Sequence, residues 1–309
     1  MKILFIDTVH PFLKEQLEKL NYICDTAYKK SKSEIEHIIC NYDGIIIRSR
    51  FKIDQKFIDK ADNLKFIARA GSGLENISLT YAENKEIKCY NAAEGNRNAV
   101  AEHAIGMLLS LFNNLTICDS QVRNRIWERE SNRGIEISGK TIAIIGYGNN
   151  GSALAEALQG FKVKILAFDK YLKKYPYQSD MQTIHKEADI VSLNIPLTKE
   201  TINLVNNDFI NRFEKKIHLI NTSRGKCVNT KDLVSALKKG KIKGACLDVL
   251  EYEDKSFEKL NEYRLNKEME YLTNSRKTIL SPHVAGWSIE SKYRIAEILL
   301  RKITSDFAQ

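Results

Sequence analysis

The stretch from Thr141 to Asp169, TIAIIGYGNNGSALAEALQGFKVKILAFD, constrains what this chain can fold into more than any other. Thr141–Ile145 is a short apolar run of the kind that forms a strand buried on both faces of a parallel sheet. Gly146, Gly148 and Gly151 follow in G-x-G-x-x-G spacing, then an Ala/Leu-rich helical segment, then a second apolar strand over 163–168 that ends on Asp169. In such a βαβ unit the first glycine permits a tight turn and the second lets backbone approach a pyrophosphate. The third lets the helix pack close to the strand, and the helix N-terminus offers unpaired N–H groups to the phosphates. A carboxylate at the tip of the second strand can hydrogen-bond the ribose hydroxyls and repel a 2′-phosphate, so Asp169 favours NAD over NADP. Glycine alone signals little, because ordinary turns need it too. Its placement between strand and helix, with Asp169 at the expected distance, is the specific signal.

The 309 residues suggest about two domains, and 43% of them are hydrophobic, enough to build real cores. No segment has the unbroken apolar length of a membrane span. The first ten residues, MKILFIDTVH, reach Asp7 too early for a signal peptide and read as a buried strand. Cys24, Cys40, Cys89, Cys118, Cys227 and Cys246 are scattered without metal-ligand spacing, which predicts reduced thiols, no metal site and a cytoplasmic setting. The formal charge of +9 could suggest a nucleic-acid partner. The lysines, however, lie beside glutamates in helical stretches such as 13–20 and 31–38, and no basic run is interleaved with aromatics. A solvated surface, with a modest bias toward anionic substrates, is the expectation; neither nucleic acid nor membrane is an expected partner.

Apolar strand-like runs alternate with helical patterns throughout, the mark of parallel α/β folding. Strands are expected at 2–6, 44–47, 65–68 and 88–90, then an amphipathic helix over 99–113. After the glycine unit come strands at 190–193, 217–221, 244–248 and 278–280. A single dinucleotide fingerprint in mid-chain implies one domain before it and a second containing it. The charged, poorly periodic segment 251–277 reads as a surface excursion.

Three polar segments follow apolar strands, where the carboxyl ends of a parallel sheet form a ligand crevice. They are Asn221-Thr222-Ser223-Arg224-Gly225, Asp248 to Glu253, and Ser281-Pro282-His283-Val284-Ala285-Gly286. Singly, each has a plain reading: a surface arginine, an exposed carboxylate, a structural histidine. Together with a nicotinamide they suit hydride transfer at a carbonyl carbon. Histidine can take the hydroxyl proton because its pKa lies near the working pH. A carboxylate can orient the ring, and arginine offers a planar fork to a substrate carboxylate.

The pattern resembles the D-isomer-specific 2-hydroxyacid dehydrogenases over nearly the whole chain. The landmarks occur in family order: IIIRSR (45–50), ARAGSGLENI (68–77), the GYGNNG loop, INTSRG (220–225), LDVLEYE (247–253) and SPHVAGW (281–287). The wording is most similar to short bacterial phosphoglycerate-dehydrogenase-like members. The resemblance implies two doubly wound parallel-sheet domains. A flavodoxin-like substrate domain would comprise 1–98 completed by 289–309, and a Rossmann NAD domain 99–288, with a cleft closing between them. It implies the catalytic trio Arg224, Glu253 and His283. For the cofactor it implies Gly146, Gly148, Asn149, Asn150, Gly151, Asp169, Pro196, Thr201, Thr222, Ser223, Asp248 and Gly286. For the substrate it implies the backbone of Ser72, Gly73 and Leu74, with Arg48, Ser49 and Arg69 nearby. Residues 99–139 would form a homodimer contact, from which Arg129 reaches a substrate in the partner.

Asn150 and Asn194 depart from the family pattern without threatening NAD binding, since both loops work through backbone. Asp254 stands where proline is usual, which leaves the aim of Glu253 open. No C-terminal regulatory extension is read, so feedback by serine through such a domain is not expected. The leading substrate expectation is 3-phosphoglycerate, as in serine biosynthesis, with Arg48, Arg50, Arg69 and Arg129 as phosphate contacts. The alternatives are a reductase of glyoxylate, hydroxypyruvate or another 2-oxo acid, and a non-catalytic NADH-sensing binding protein, since the family includes corepressors.

Overall fold

The computed structural model describes residues 1–253 and 266–307. The chain divides into two compact units, Met1–Arg97 with Trp287–Gln309, and Asn98–Gly286.

The first unit carries strands β1 (Lys2–Phe5), β2 (Ile23–Thr26), β3 (Gly44–Ile47), β4 (Phe66–Arg69) and β5 (Lys88–Tyr90) in one parallel sheet of order β2-β1-β3-β4-β5. This is the doubly wound, flavodoxin-like order. Alternation along β1 shows how the sheet is covered. Ile3 and Phe5 face a layer with Leu13 and Leu17 of α1 (Pro11–Lys19) and Ala296, Leu299 and Ile303 of the C-terminal helix Ile289–Phe307. Leu4 faces the opposite layer, with Ile35, Phe57 and Ala82. The period-2 geometry of a strand sends successive side chains to opposite faces, so a continuous apolar run fills both cores. β2 was not among the strands expected from sequence. Its ICDT lies at the sheet edge with no buried residue, so it carries no apolar run to read.

The second unit contains β6 (Thr141–Ile145), β7 (Lys164–Phe168), β8 (Ile190–Leu193), β9 (Ile217–Asn221), β10 (Ile242–Leu247) and β11 (Thr278–Leu280). Its sheet is wholly parallel, in the order β11-β10-β9-β8-β6-β7. From β6 the chain steps to β7 on one side and then returns to β8 on the other, which makes the carboxyl ends of β6 and β8 a topological switch point. Ile142 and Ile144 pack with Ala101, Ala104 and Leu108 of the helix Arg97–Phe112, while Ala143 and Ile145 pack with Leu233, Val234 and Leu237 of the helix Thr230–Lys239. Burying each such isoleucine contributes about 1.5–3 kcal/mol.

The segment read as a surface excursion is more ordered at its end than expected. Lys267–Asn274 is a helix that buries Met269 and Leu272 against the core of β8, β9 and β10. Two apolar side chains three apart suffice for docking, too few to register as periodicity. The remainder of that expectation, over 254–265 and including Asp254, lies outside the described residues. No helix among the described residues is long and apolar enough to cross a membrane.

Candidate active site

The nucleotide loop follows directly from β6. Gly146 has φ +92°, and a Cβ at Gly151 would lie 2.0 Å from the Gly146 carbonyl oxygen, so neither position accepts a side chain without moving backbone. The helix Asn149–Ala157 begins here with Gly148 as N-cap and no side-chain cap. Its first N–H groups therefore lack the usual side-chain acceptor. Space above Gly148 is open: a Cβ there would meet nothing within 4 Å.

At the tip of β7 the Asp169 carboxylate accepts from the backbone N–H groups of Tyr147 (2.9 Å), Tyr171 (2.9 Å) and Leu172 (3.0 Å). Burial pushes this carboxyl up, but the three donors together outweigh burial and hold it below the usual range, so it is ionised. Two buried oxygens, Asn150 Oδ1 in that helix and Thr222 Oγ1 just after β9, have no hydrogen-bond partner among the described residues. A buried polar atom left unmatched costs roughly 1–3 kcal/mol, a deficit that a polar ligand can relieve. An uncapped helix start, open space, an ionised strand-tip carboxylate and orphaned oxygens all fit a dinucleotide. Gly146, Gly148, Gly151, Asn149, Asn150, Asp169 and Thr222 would hold it.

Three loops at the carboxyl ends of β9, β10 and β11 carry the remaining candidates. After β9, buried Asn221 pins its own turn: Oδ1 accepts from the N–H and hydroxyl of Ser223 (3.1 and 2.7 Å), and Nδ2 donates to the Arg224 carbonyl (3.1 Å). The Ser223 hydroxyl is thus engaged within the loop. The Arg224 guanidinium donates to the Ser223 carbonyl at 2.8 Å. Gly225 then presses on the next loop, where a Cβ would lie 2.0 Å from the Leu250 carbonyl oxygen. That close approach couples the arginine loop to the carboxylate loop.

Two glutamates stand in that second loop, and hydrogen bonds separate their roles. Glu251 accepts from the N–H of Thr230 at 3.0 Å and caps a helix start. Glu253 accepts from the N–H of Leu250 with Oε1 and faces His283 Nδ1 with Oε2 at 2.8 Å. His283 itself has φ 55°, an unusual conformation for a non-glycine residue, and its N–H donates to the Asp248 carbonyl at 2.7 Å.

Asp248 is the hub of this arrangement. Only 1% exposed, its carboxylate accepts from the Ser281 hydroxyl (2.6 Å) and the N–H groups of Val284 (2.9 Å) and Ala285 (2.9 Å). It therefore shapes both sides of the loop that carries His283. His103 completes the hub from the helix Arg97–Phe112, with Nε2 2.9 Å from Ser281 Oγ. Because the serine hydroxyl donates to Asp248, the ring must donate through Nε2, which sets its tautomer. Sequence reasoning missed His103. The one available signal was its place four residues before buried Met107 on an otherwise apolar helix face.

Thr201 Oγ1 donates to the Pro196 carbonyl and accepts from the N–H of Thr198, both at 2.7 Å, which locks the loop after β8. Within the first unit, the substrate candidates follow β3 and β4. Arg48 stacks its guanidinium over Trp287 (4.5 Å to the ring centroid), and its carbonyl accepts from Arg69 Nε at 3.2 Å. Ser72 donates to Asn96 Oδ1 at 2.8 Å. Arg50, expected as a phosphate contact, is committed elsewhere: its guanidinium donates to the carbonyls of Ile6, Ala27 and Lys30 at 2.6–2.9 Å. It ties loops together, a use that the spacing of arginines cannot reveal. Arg129 is exposed in the second unit.

Comparison with known proteins gives the chain a family. A family model described as "D-isomer specific 2-hydroxyacid dehydrogenase, NAD binding domain" matches residues 105–285. The chain is 31% identical to a D-3-phosphoglycerate dehydrogenase of Synechocystis over 96% of its own length and 52% of that protein's. It spans about half the length of the first phosphoglycerate dehydrogenases it matches. A hydroxypyruvate reductase of Thermotoga maritima is 32% identical over 94% of this chain and 91% of that one. Among solved structures, a D-lactate dehydrogenase of Aquifex aeolicus, complexed with NAD and lactic acid, superposes with a TM-score of 0.81 at 26% identity, covering 99% of this chain and 95% of that one.

Proposed function

The chain belongs to the D-isomer specific 2-hydroxyacid dehydrogenase family, whose cofactor is NAD, and from that premise we propose that it interconverts a D-2-hydroxy acid and its 2-oxo acid. The observation that carries this reading is the His283 Nδ1···Glu253 Oε2 pair at 2.8 Å. With Nδ1–H directed at the carboxylate, Nε2 carries the lone pair that accepts the substrate hydroxyl proton, and in the reverse direction returns it to the carbonyl oxygen. Glu253 orients the ring and stabilises its protonated form. Arg224 places a planar cation for the substrate carboxylate and polarises the adjacent carbonyl. When bound, the nicotinamide supplies or receives the hydride. The carboxylate of the substrate is assigned to the backbone of Ser72, Gly73 and Leu74, with Arg48, Ser49 and Arg69.

Within this class we assign 3-phosphoglycerate as the leading substrate, which would place the enzyme at the entry to serine synthesis. Its support is the family wording of the motifs, the phosphoglycerate dehydrogenases among the relatives, and the arginines Arg48, Arg69 and Arg129. A second reading, reduction of hydroxypyruvate or glyoxylate, is favoured by the commitment of Arg50 to backbone carbonyls and by a relative of matching length named hydroxypyruvate reductase. NADH oxidation with phosphohydroxypyruvate, hydroxypyruvate and glyoxylate side by side decides between them. A preference in kcat/KM for the phosphorylated acid supports the first, and the reverse supports the second. No turnover with any 2-oxo acid would return the chain to a cofactor-sensing role.

We further assign a cytoplasmic homodimer built through 99–139. The helix Leu115–Arg123 buries none of its residues, and Leu115, Val122, Ile126, Trp127 and Ile135 are all exposed around it. A cluster of this kind on one segment is what an obligate partner covers.

A further inference from the structure

Asp169 is followed at once by Lys170, an awkward neighbour for a site that favours NAD. A 2′-phosphate would sit beside the Asp169 carboxylate, and an ammonium one residue away would attract it. The structure gives this ammonium a partner. Lys170 Nζ lies 2.5 Å from Glu200 Oε2, and the Tyr171 hydroxyl donates to the same oxygen at 3.1 Å. Glu200 comes from the loop after β8, whose Thr201 bonds hold its shape, and the N–H of Glu200 itself donates to Thr198 Oγ1 at 3.3 Å. The carboxylate is thus presented from a braced loop across the sheet's switch point to the residue following β7.

We propose that Glu200 is a cofactor-specificity residue: by neutralising Lys170 it denies a 2′-phosphate its cation and leaves the Asp169 charge unopposed. The inference rests on the NAD reading of the glycine loop. Lys170 and Glu200 are both exposed, and exposed ion pairs contribute little to stability. Removing Glu200 therefore changes the local charge and leaves the fold intact. A lysine freed in this way gains a dianionic partner, while ligands without the 2′-phosphate meet the same surroundings as before.

The test measures binding of adenosine 2′,5′-bisphosphate and of 5′-AMP by calorimetry at low salt, with NADPH and NADH affinities from fluorescence titration. Wild type, Glu200→Gln, Lys170→Met and the double variant are compared. Glu200→Gln is expected to tighten the bisphosphate and NADPH about three- to tenfold and leave 5′-AMP and NADH unchanged. In the double variant the gain disappears. Unchanged bisphosphate affinity in Glu200→Gln, or a gain that survives in the double variant, overturns the role of Glu200. Failure of the wild-type protein to bind either NADH or 5′-AMP overturns the nucleotide site itself, a separate result.

Discussion

Replacing Asp248 with asparagine changes one buried oxygen into an NH2 group at nearly constant shape, and the structure allows its effect to be worked out. Three donors converge on the carboxylate: the Ser281 hydroxyl and Val284 N–H on Oδ1, and the Ala285 N–H on Oδ2. The asparagine rotamer that keeps Oδ1 as oxygen loses only the Ala285 bond, and sets two N–H groups facing each other. A hydrogen bond to a charged group contributes about 1.5–3 kcal/mol, and an unmatched buried N–H adds a penalty of similar size. Relief of burying a charge offsets part of this sum, which leaves a net loss of about 2–3 kcal/mol. At roughly 2–4 °C per kcal/mol for a chain of this size, Tm should fall by about 5–10 °C. The loop bearing His283 shifts with it, since the backbone N–H of His283 also rests on Asp248. A displacement near 1 Å at a reacting group can lower turnover about 100-fold. Thermal unfolding without cofactor, alongside steady-state NADH oxidation, measures both effects. Unfolding within about 0.5 kcal/mol of wild type would refute the hub reasoning, because that measurement does not involve any contact of Asp248 with cofactor.

His283→Gln should lower kcat about 10²–10⁴-fold while NADH binding is kept, and full retained turnover would remove His283 from proton transfer. Gly151→Ala, whose Cβ would meet the Gly146 carbonyl at 2.0 Å, should weaken NADH binding at least 100-fold in a fluorescence titration; affinity within threefold of wild type would contradict the close approach. Acid stability should show the buried His218 ring, packed 4.6 Å from Phe112 and pushed down to about 4 by burial and by Lys243. Unfolded, it titrates near 6.5, so the unfolded state binds more protons between those values and stability falls as pH drops from about 6.5 to about 4, by about 3 kcal/mol. Urea midpoints of wild type and His218→Phe across that range test this, and identical slopes would contradict it. Trp127 is 78% exposed beside the unburied helix Leu115–Arg123; Trp127→Asp should convert a dimer to monomer in sedimentation, and an unchanged mass would move the interface elsewhere.

How much of this could be read from the chain depends on how local each signal is. The β6 loop and Asp169 were legible because turn geometry, helix start and strand tip are set within thirty residues. The strands of both sheets were legible wherever an apolar run fills two cores, as in TIAII and GIII. β2 was not, because an edge strand without a buried residue has no such run. The trio could be listed from strand ends, and the family resemblance singled out Glu253; what each glutamate bonds, Glu253 to His283 and Glu251 to the Thr230 N–H, is visible only in the fold.

Sequence alone therefore determined the apolar strands and their order, the nucleotide loop and the set of polar residues offered at the strand ends, since each follows from side-chain periodicity or a local backbone requirement. Tertiary structure decided what those residues do to one another. Strand order brings β10 between β9 and β11, which lets Asp248 gather the His283 loop and lets His103, 178 positions away, reach Ser281. It also commits Arg50 to three carbonyls and Lys170 to Glu200. Hydrogen bonds and ion pairs act over a few ångströms whatever the separation along the chain, so only the packed sheet determines which donor meets which acceptor.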